Sequence, residues 1–342
     1  MSQSALTRRR FVTIAASAFG MAMLGRAVPS HASEPVRWRG SALGAQVSIE
    51  IHHPDRAAAA KLVETSVREV RRLEQIFSLY RPDSAICALN RSGVLIAPDP
   101  DMVALLRTTL HLSEQTGGAF DPTVQPLWEL YQRHFERAGA DPAGPATADV
   151  AGALAKVGYR DVLVSADRIA LKRPGAAITL NGIAQGFATD RVVDLLRNGG
   201  MTTTLVDIGE IRAIGAKPDG APWRVGLADP EKTGVELGTV ELVDCAVATS
   251  SGAGFRFDPA GQFTHLFDPS TGRSPSMYRS VSVVAPTATE ADALSTAFSV
   301  LDRSRIAAIL RARAGVEVLL ADAEGVCSGC APKKARAAVT LR

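Results

Sequence analysis

Seven short stretches that read as β-strands follow one another between residues 203 and 284, and segments of helical period stand on both sides of them. The strand patterns lie at 203–207, 211–215, 223–228, 239–242, 246–249, 262–267 and 278–284. Before them, Leu62, Val63, Val67, Val70, Leu73, Ile76 and Phe77 recur along one helix face, which predicts a long amphipathic helix over 55–79. Helices are expected at 84–90, 99–116 and 183–197, the last stopped by Asn198-Gly199-Gly200, and again at 290–301 and 303–313. Further strands are expected after Gly44, where Val47, Ile49 and Ile51 alternate, and at 162–165, 168–171, 177–180 and 316–321. Helices and strands interleave without a regular βαβ repeat, so the expected class is α+β, with mixed or antiparallel sheets and flanking helices. The Ala-, Gly- and Pro-rich run at 138–148 reads as a surface loop.

Residues 1–32 read as a leader rather than as part of the fold. Thr7-Arg8-Arg9-Arg10-Phe11-Val12 is a twin-arginine pattern, followed by an Ala-rich apolar run to Leu24 and a small-residue cut site at Ser30-His31-Ala32. The apolar run is shorter than the ~20 residues a membrane span requires. The expectation is a periplasmic protein exported by the twin-arginine pathway, with residues 33–342 forming one domain. Four leader arginines contribute to the net charge of +3, so the remainder is near neutral. With no basic stripe interleaved with aromatics, nucleic acid is excluded as an expected partner.

The cysteines are Cys87, Cys245, Cys327 and Cys330. In an oxidising compartment, Cys327 and Cys330 read as a small disulfide loop, with a redox-active pair as the alternative.

Several segments carry chemistry. In 290–298, read as a helix, the Asp292 carboxylate and Thr296 hydroxyl fall one turn apart on one face. Two hard oxygen donors so placed suit Mg²⁺, although an Asp near a helix start also serves as a cap. Asn181-Gly182-Ile183-Ala184-Gln185-Gly186 joins a strand to a helix. Its glycines permit close backbone approach to a phosphate, or equally a tight packing turn. His265 stands at the end of an expected strand, ahead of the turn Asp268-Pro269-Ser270-Thr271-Gly272. There it is either structural or a general base. Gly118-Ala119-Phe120-Asp121 is a second Gly-rich turn, Tyr80 offers a ring to a flavin or adenine, and Thr249-Ser250-Ser251-Gly252 offers small-residue amides to a phosphate.

These segments, in this order, resemble the ApbE family of flavin transferases from about Gly40 to Leu341, including Val206-Asp207-Ile208-Gly209. The resemblance implies a single T-fold-like catalytic domain that uses Mg²⁺ to cleave FAD. FMN would pass to a Thr or Ser hydroxyl of another protein, and AMP would leave. It further implies Asp292, Thr296 and the Gly182 carbonyl as metal ligands, with His265 and Asp292 as catalytic residues. The implied FAD contacts are Leu43, Tyr80, Ala119, Phe120, Asp121, Thr179, Gln185 and Phe267. The sequence departs from the family pattern in its single-Gly turn at Gly209, in Gln185 where Lys is frequent, and in Thr179 where Asp is frequent. With the leader, the single-Gly turn resembles the NosX-like branch of nitrous-oxide respiration. That branch implies a membrane-bound NosR-type acceptor, with NqrC- or RnfG-type subunits next in line. The competing functions are an FAD carrier without catalysis, which would need no metal pair, and an Mg²⁺-dependent FAD pyrophosphatase releasing free FMN.

Overall fold

The computed structural model describes residues 36–51, 55–322, 327–330 and 339–341. The expected leader at 1–32 and the side chains on which the Cys327–Cys330 pairing rests lie outside the described residues. Cys87 and Cys245 are free thiols.

The chain opens with strands β1 (Val36–Ala42) and β2 (Ala45–Ile51), then helices α1 (Arg56–Phe77) and α2 (Ala85–Ser92). Strand β3 (Val94–Ile96) and helices α3 (Pro100–Gln115), α4 (Gln125–Phe135) and α5 (Thr147–Leu154) follow. Next come β4 (Val162–Val164), β5 (Arg168–Leu171), α6 (Ala184–Asn198), β6 (Thr204–Asp207), β7 (Ile211–Ile214), β8 (Trp223–Ala228), β9 (Glu236–Leu242) and β10 (Ala246–Ser250). The chain ends with β11 (Ser280–Ala285), α7 (Ala288–Phe298), α8 (Arg303–Arg311), β12 (Glu317–Ala321), β13 (Cys327–Cys330) and β14 (Val339–Leu341). Eight strands form the central sheet in the order β1-β2-β6-β7-β10-β11-β12-β13, and β14-β9-β8 and β3-β5-β4 form two smaller sheets. Among the described residues every strand pairing is antiparallel.

Alternation sorts the strand residues between two cores. Ile214, Ala248, Val283 and Val318 face one side, with Val192 and Leu196 of α6 and Leu294 and Phe298 of α7. Their neighbours Ala213, Val247, Val284 and Leu319 face the other, against Val225, Leu227, Val240 and Leu242 of the small sheet. The central strands are therefore buried on both faces and read as continuous apolar runs.

Two expected strands do not form, because side chains take the place of a strand partner. At 177–180 the Asn90 amide accepts from the Ile178 N–H and donates to the Ile178 carbonyl, both at 2.8 Å, while the Thr179 N–H donates to the Pro122 carbonyl. At 262–267 the Asp258 carboxylate accepts from the Gln262 and Phe263 N–H groups, and the Ser274 hydroxyl accepts from that of Thr264. A single bridge, Arg256 to Thr264, is all that remains of a ladder there. Helices α4 and α5 were not expected, and α5 begins inside the expected loop at 138–148.

Helices α6 and α7 are bolted together where the site will lie. Asp190, midway along α6, accepts from the Ala288 and Thr289 N–H groups at 2.9 Å each and pairs with the Arg212 guanidinium. A Cβ on Gly186 would sit 2.3 Å from the Ala288 carbonyl oxygen, so glycine is what lets α6 lie on the start of α7. Gly186→Ala is expected to cost about 1–3 kcal/mol of stability in urea unfolding, despite alanine's better helix propensity. A variant as stable as the parent would remove this packing argument.

Candidate active site

A cleft of about 1650 Å³ opens beside the α6–α7 junction. Tyr80, Ala119, Phe120, Asp121, Thr179, Gly182, Gln185, His265, Phe267, Asp292 and Thr296 all line it. Leu43 stands just outside. Its backbone, at φ 48°, donates to Glu74 Oε1 at 2.9 Å and accepts from Gln185 Nε2 at 3.3 Å, while Ala42 and Gly44 face the cleft.

Asp292 is 4% exposed and sits in the second turn of α7, whose own cap is Thr287. Its Oδ2 accepts from the Gly186 N–H at 3.0 Å, so the carboxylate caps the neighbouring helix, α6, which has no side-chain cap of its own. Burial, followed by the charge of Asp190, pushes Asp292 up to about 7 against the pull of that N–H. Thr296 Oγ1 lies one turn on, 3.3 Å from Ser250 Oγ. A Cβ on Gly182 would come within 2.8 Å of Thr296 Oγ1, so backbone and hydroxyl approach closely. The trio is a buried acid, a hydroxyl and a peptide unit. Hard oxygen donors of this kind fit a small divalent cation. No group of three or more His, Cys, Asp or Glu side chains able to hold a metal occurs among the described residues.

Two further acids face the same cleft. Burial pushes Asp207 up to about 6. Burial, then the charges of Asp292 and Asp207, raises Glu210 well above the usual carboxylate range. Sequence reading placed Asp207 in a motif but did not single out Glu210.

His265 Nδ1 lies 3.3 Å from the Phe255 carbonyl oxygen. A carbonyl can only accept, so this contact puts the ring proton on Nδ1 and leaves Nε2 with a lone pair. Removal from water lowers the His265 pKa, which keeps the ring neutral. Tyr80 is 64% exposed at the cleft mouth, with its ring edge against Gly44. The Asp121 oxygens are held by the Thr123 N–H at 2.8 Å, the Thr123 hydroxyl and the Tyr159 N–H at 3.0 Å, which makes this acid a brace for the cleft wall. Thr179 Oγ1 accepts from the Asn181 N–H at 3.2 Å. Phe267 is buried against Tyr131, with ring centroids 5.1 Å apart.

That wall extends beyond the expected residues. Trp128 of α4 lies 6.1 Å from Phe255 and 5.8 Å from Phe257, centroid to centroid, and all three line the cleft. The signal for it is in the sequence: Pro126 suits a helix start, and Trp128, Tyr131 and Phe135 follow at helical spacing.

The same fold recurs in solved structures of ApbE proteins. The ApbE protein from Thermotoga maritima matches with a TM-score of 0.78 at 29% identity, over 86% of this chain and 96% of that one. The flavin transferase ApbE from Vibrio cholerae matches with a TM-score of 0.74 at 27% identity, over 88% and 97%. A FAD:protein FMN transferase from Treponema pallidum is 34% identical over 267 residues, 72% of this chain and 73% of that protein. The Escherichia coli protein of that name is 28% identical over 306 residues, 86% of each. Fold and sequence similarity place the chain among the flavin-transferring enzymes. It belongs to the ApbE family, whose model matches residues 43–320.

Proposed function

We propose that the protein cleaves FAD, attaches the FMN half through a phosphoester to a Thr or Ser hydroxyl of an acceptor protein, and releases AMP. The observation that carries this reading is the sharing of one cleft by the Asp292–Thr296–Gly182 oxygens and a neutral His265. Asp292, Thr296 and the Gly182 carbonyl would hold Mg²⁺, which when bound neutralises charge gathering on the pyrophosphate. His265 takes the proton of the acceptor hydroxyl at Nε2 as that oxygen bonds to the FMN phosphorus, and the bond from this phosphorus to the bridging oxygen breaks, AMP keeping that oxygen. Tyr80, at the mouth, and the Trp128–Phe255 wall offer faces to the two ring systems of FAD. Phe120, Ala119 and Thr179 shape the channel between them, and Gln185 supplies a neutral amide where a charged side chain would hold phosphate more strongly.

The twin-arginine leader supports action in the periplasm. With the single-Gly turn, it favours a membrane-bound NosR-type acceptor over NqrC- and RnfG-type subunits. The test is incubation with FAD, Mg²⁺ and the soluble flavin-bearing domain of each acceptor type. Acceptor-bound flavin fluorescence in a denaturing gel, with one AMP per flavin, is the expected result. Free FMN without labelled acceptor would favour a pyrophosphatase, and neither product would leave an FAD carrier.

A further inference from the structure

The cleft of about 1650 Å³ exceeds the roughly 300–1,000 Å³ usual for a small-molecule or cofactor site. Strand β8 forms part of its lining. This strand is the edge of its sheet, and among the described residues no strand pairs with its outer side. Four consecutive residues, Val225, Gly226, Leu227 and Ala228, line the cleft. Successive side chains on a strand point to opposite faces, and those of Val225 and Leu227 are committed to the core beneath. What four residues in a row present together is therefore the backbone edge, a row of alternating N–H donors and C=O acceptors. The register shift near Leu227 places its extra residue, Leu237, in β9, so β8 runs on unbroken.

The end of this edge is tied to the catalytic histidine. Asp229, directly after β8, pairs with Arg279 at 2.5 Å, and the Arg279 carbonyl accepts from Ser251 Oγ at 2.6 Å. The turn that begins at Ser251 leads to Phe255, whose carbonyl meets His265 Nδ1. Because His265 lines the same cleft, a chain paired along β8 would lie in the cavity that holds it. FAD has no period-two ladder of amides to match such an edge, whereas an extended peptide has one.

We propose that β8 is the acceptor docking site, and that an extended segment of the acceptor polypeptide adds to it as a further antiparallel or parallel strand, carrying its Thr or Ser hydroxyl to His265. This inference rests on the transferase reading. It makes main-chain pairing the main source of acceptor binding and leaves side chains to choose among acceptors.

The test is hydrogen exchange at single-residue resolution on the full chain with FAD, with and without the soluble NqrC-, RnfG- or NosR-type domain that becomes labelled. The expected result is at least tenfold slower exchange at alternate amides of Trp223–Ala228 with acceptor, and no such change with FAD alone. An acceptor that is labelled while β8 amides exchange unchanged would overturn the proposal. So would protection confined to the Trp128–Phe255 wall. If none of the three domains is labelled by the wild-type chain, the transferase reading fails first and this inference falls with it.

Discussion

Replacing Asp292 with alanine is expected to lower FMN transfer by on the order of 10³-fold, the scale on which loss of one electrostatic stabiliser registers. The carboxylate is the only charged member of the oxygen trio it forms with Thr296 and Gly182, so its removal takes away the attraction that would hold a divalent cation there. The same carboxylate caps α6 through the Gly186 N–H, and an orphaned buried donor costs about 1–3 kcal/mol. Asp292→Asn separates the two roles, since its amide oxygen can still accept from Gly186 while the charge is gone. The Asn variant should keep the thermal midpoint of the parent and lose transfer as fully as the Ala variant does. Isothermal titration with Mg²⁺ gives a readout independent of turnover, and both variants should show no binding at this site. Parent-like transfer by either variant would sink the metal assignment.

Local periodicity and tertiary contact divide what the sequence could reveal about this site. Asp292 and Thr296 are legible because helical period alone puts residues four apart on one face. Their nearness to Gly182 is not legible from period and is implied only by the family resemblance, since it depends on Gly186 letting α6 settle onto Ala288 and on Asp190 holding the start of α7. The packing reading of the 181–186 turn holds at both glycines: Gly186 sits against Ala288, and Gly182 is brought against Thr296. The capping reading of Asp292 holds in altered form, because it does cap a helix, but not its own.

The antiparallel sheet is legible where strands pair with strands. It fails at 177–180 and 262–267, where Asn90, Asp258 and Ser274 supply the hydrogen bonds from a distance no local pattern reports. Two departures from the family pattern also prove to be one feature. The Gln185 amide lies where a Cβ on Gly209 would come within 2.8 Å of it, and Gly209 holds φ 97° with its N–H on Asp207. A neutral side chain at 185 and a tight turn at 209 pack against each other, so exchanging either alone disturbs the other.

His265→Ala is expected to slow FMN transfer about 10²–10⁴-fold, the usual worth of a positioned general base, while FAD affinity stays within about twofold. The ring touches the Phe255 carbonyl and none of the Asp292–Thr296–Gly182 oxygens, so its removal should not disturb a cation held there. Burial sets the sign of the pH dependence. With its pKa lowered from 6.5, the ring stays neutral and able to accept a proton at pH 7. With Mg²⁺ saturating, so that a bound cation would hold Asp292 ionised despite its raised pKa, the parent rate should hold as pH falls to 6.5 and decline below it, and the part of this decline due to the ring should be missing from the alanine variant. Stability follows the same direction: the folded chain binds fewer protons at this ring than the unfolded chain, so the ring's contribution is lost as pH drops below 6.5. A merely structural histidine would give the stability effect without the change in rate profile. Single-turnover transfer from pH 5 to 8, measured on parent and variant with FAD saturating, distinguishes the two. A variant that transfers within threefold of the parent would return His265 to the role of a packing residue on the Phe255 turn.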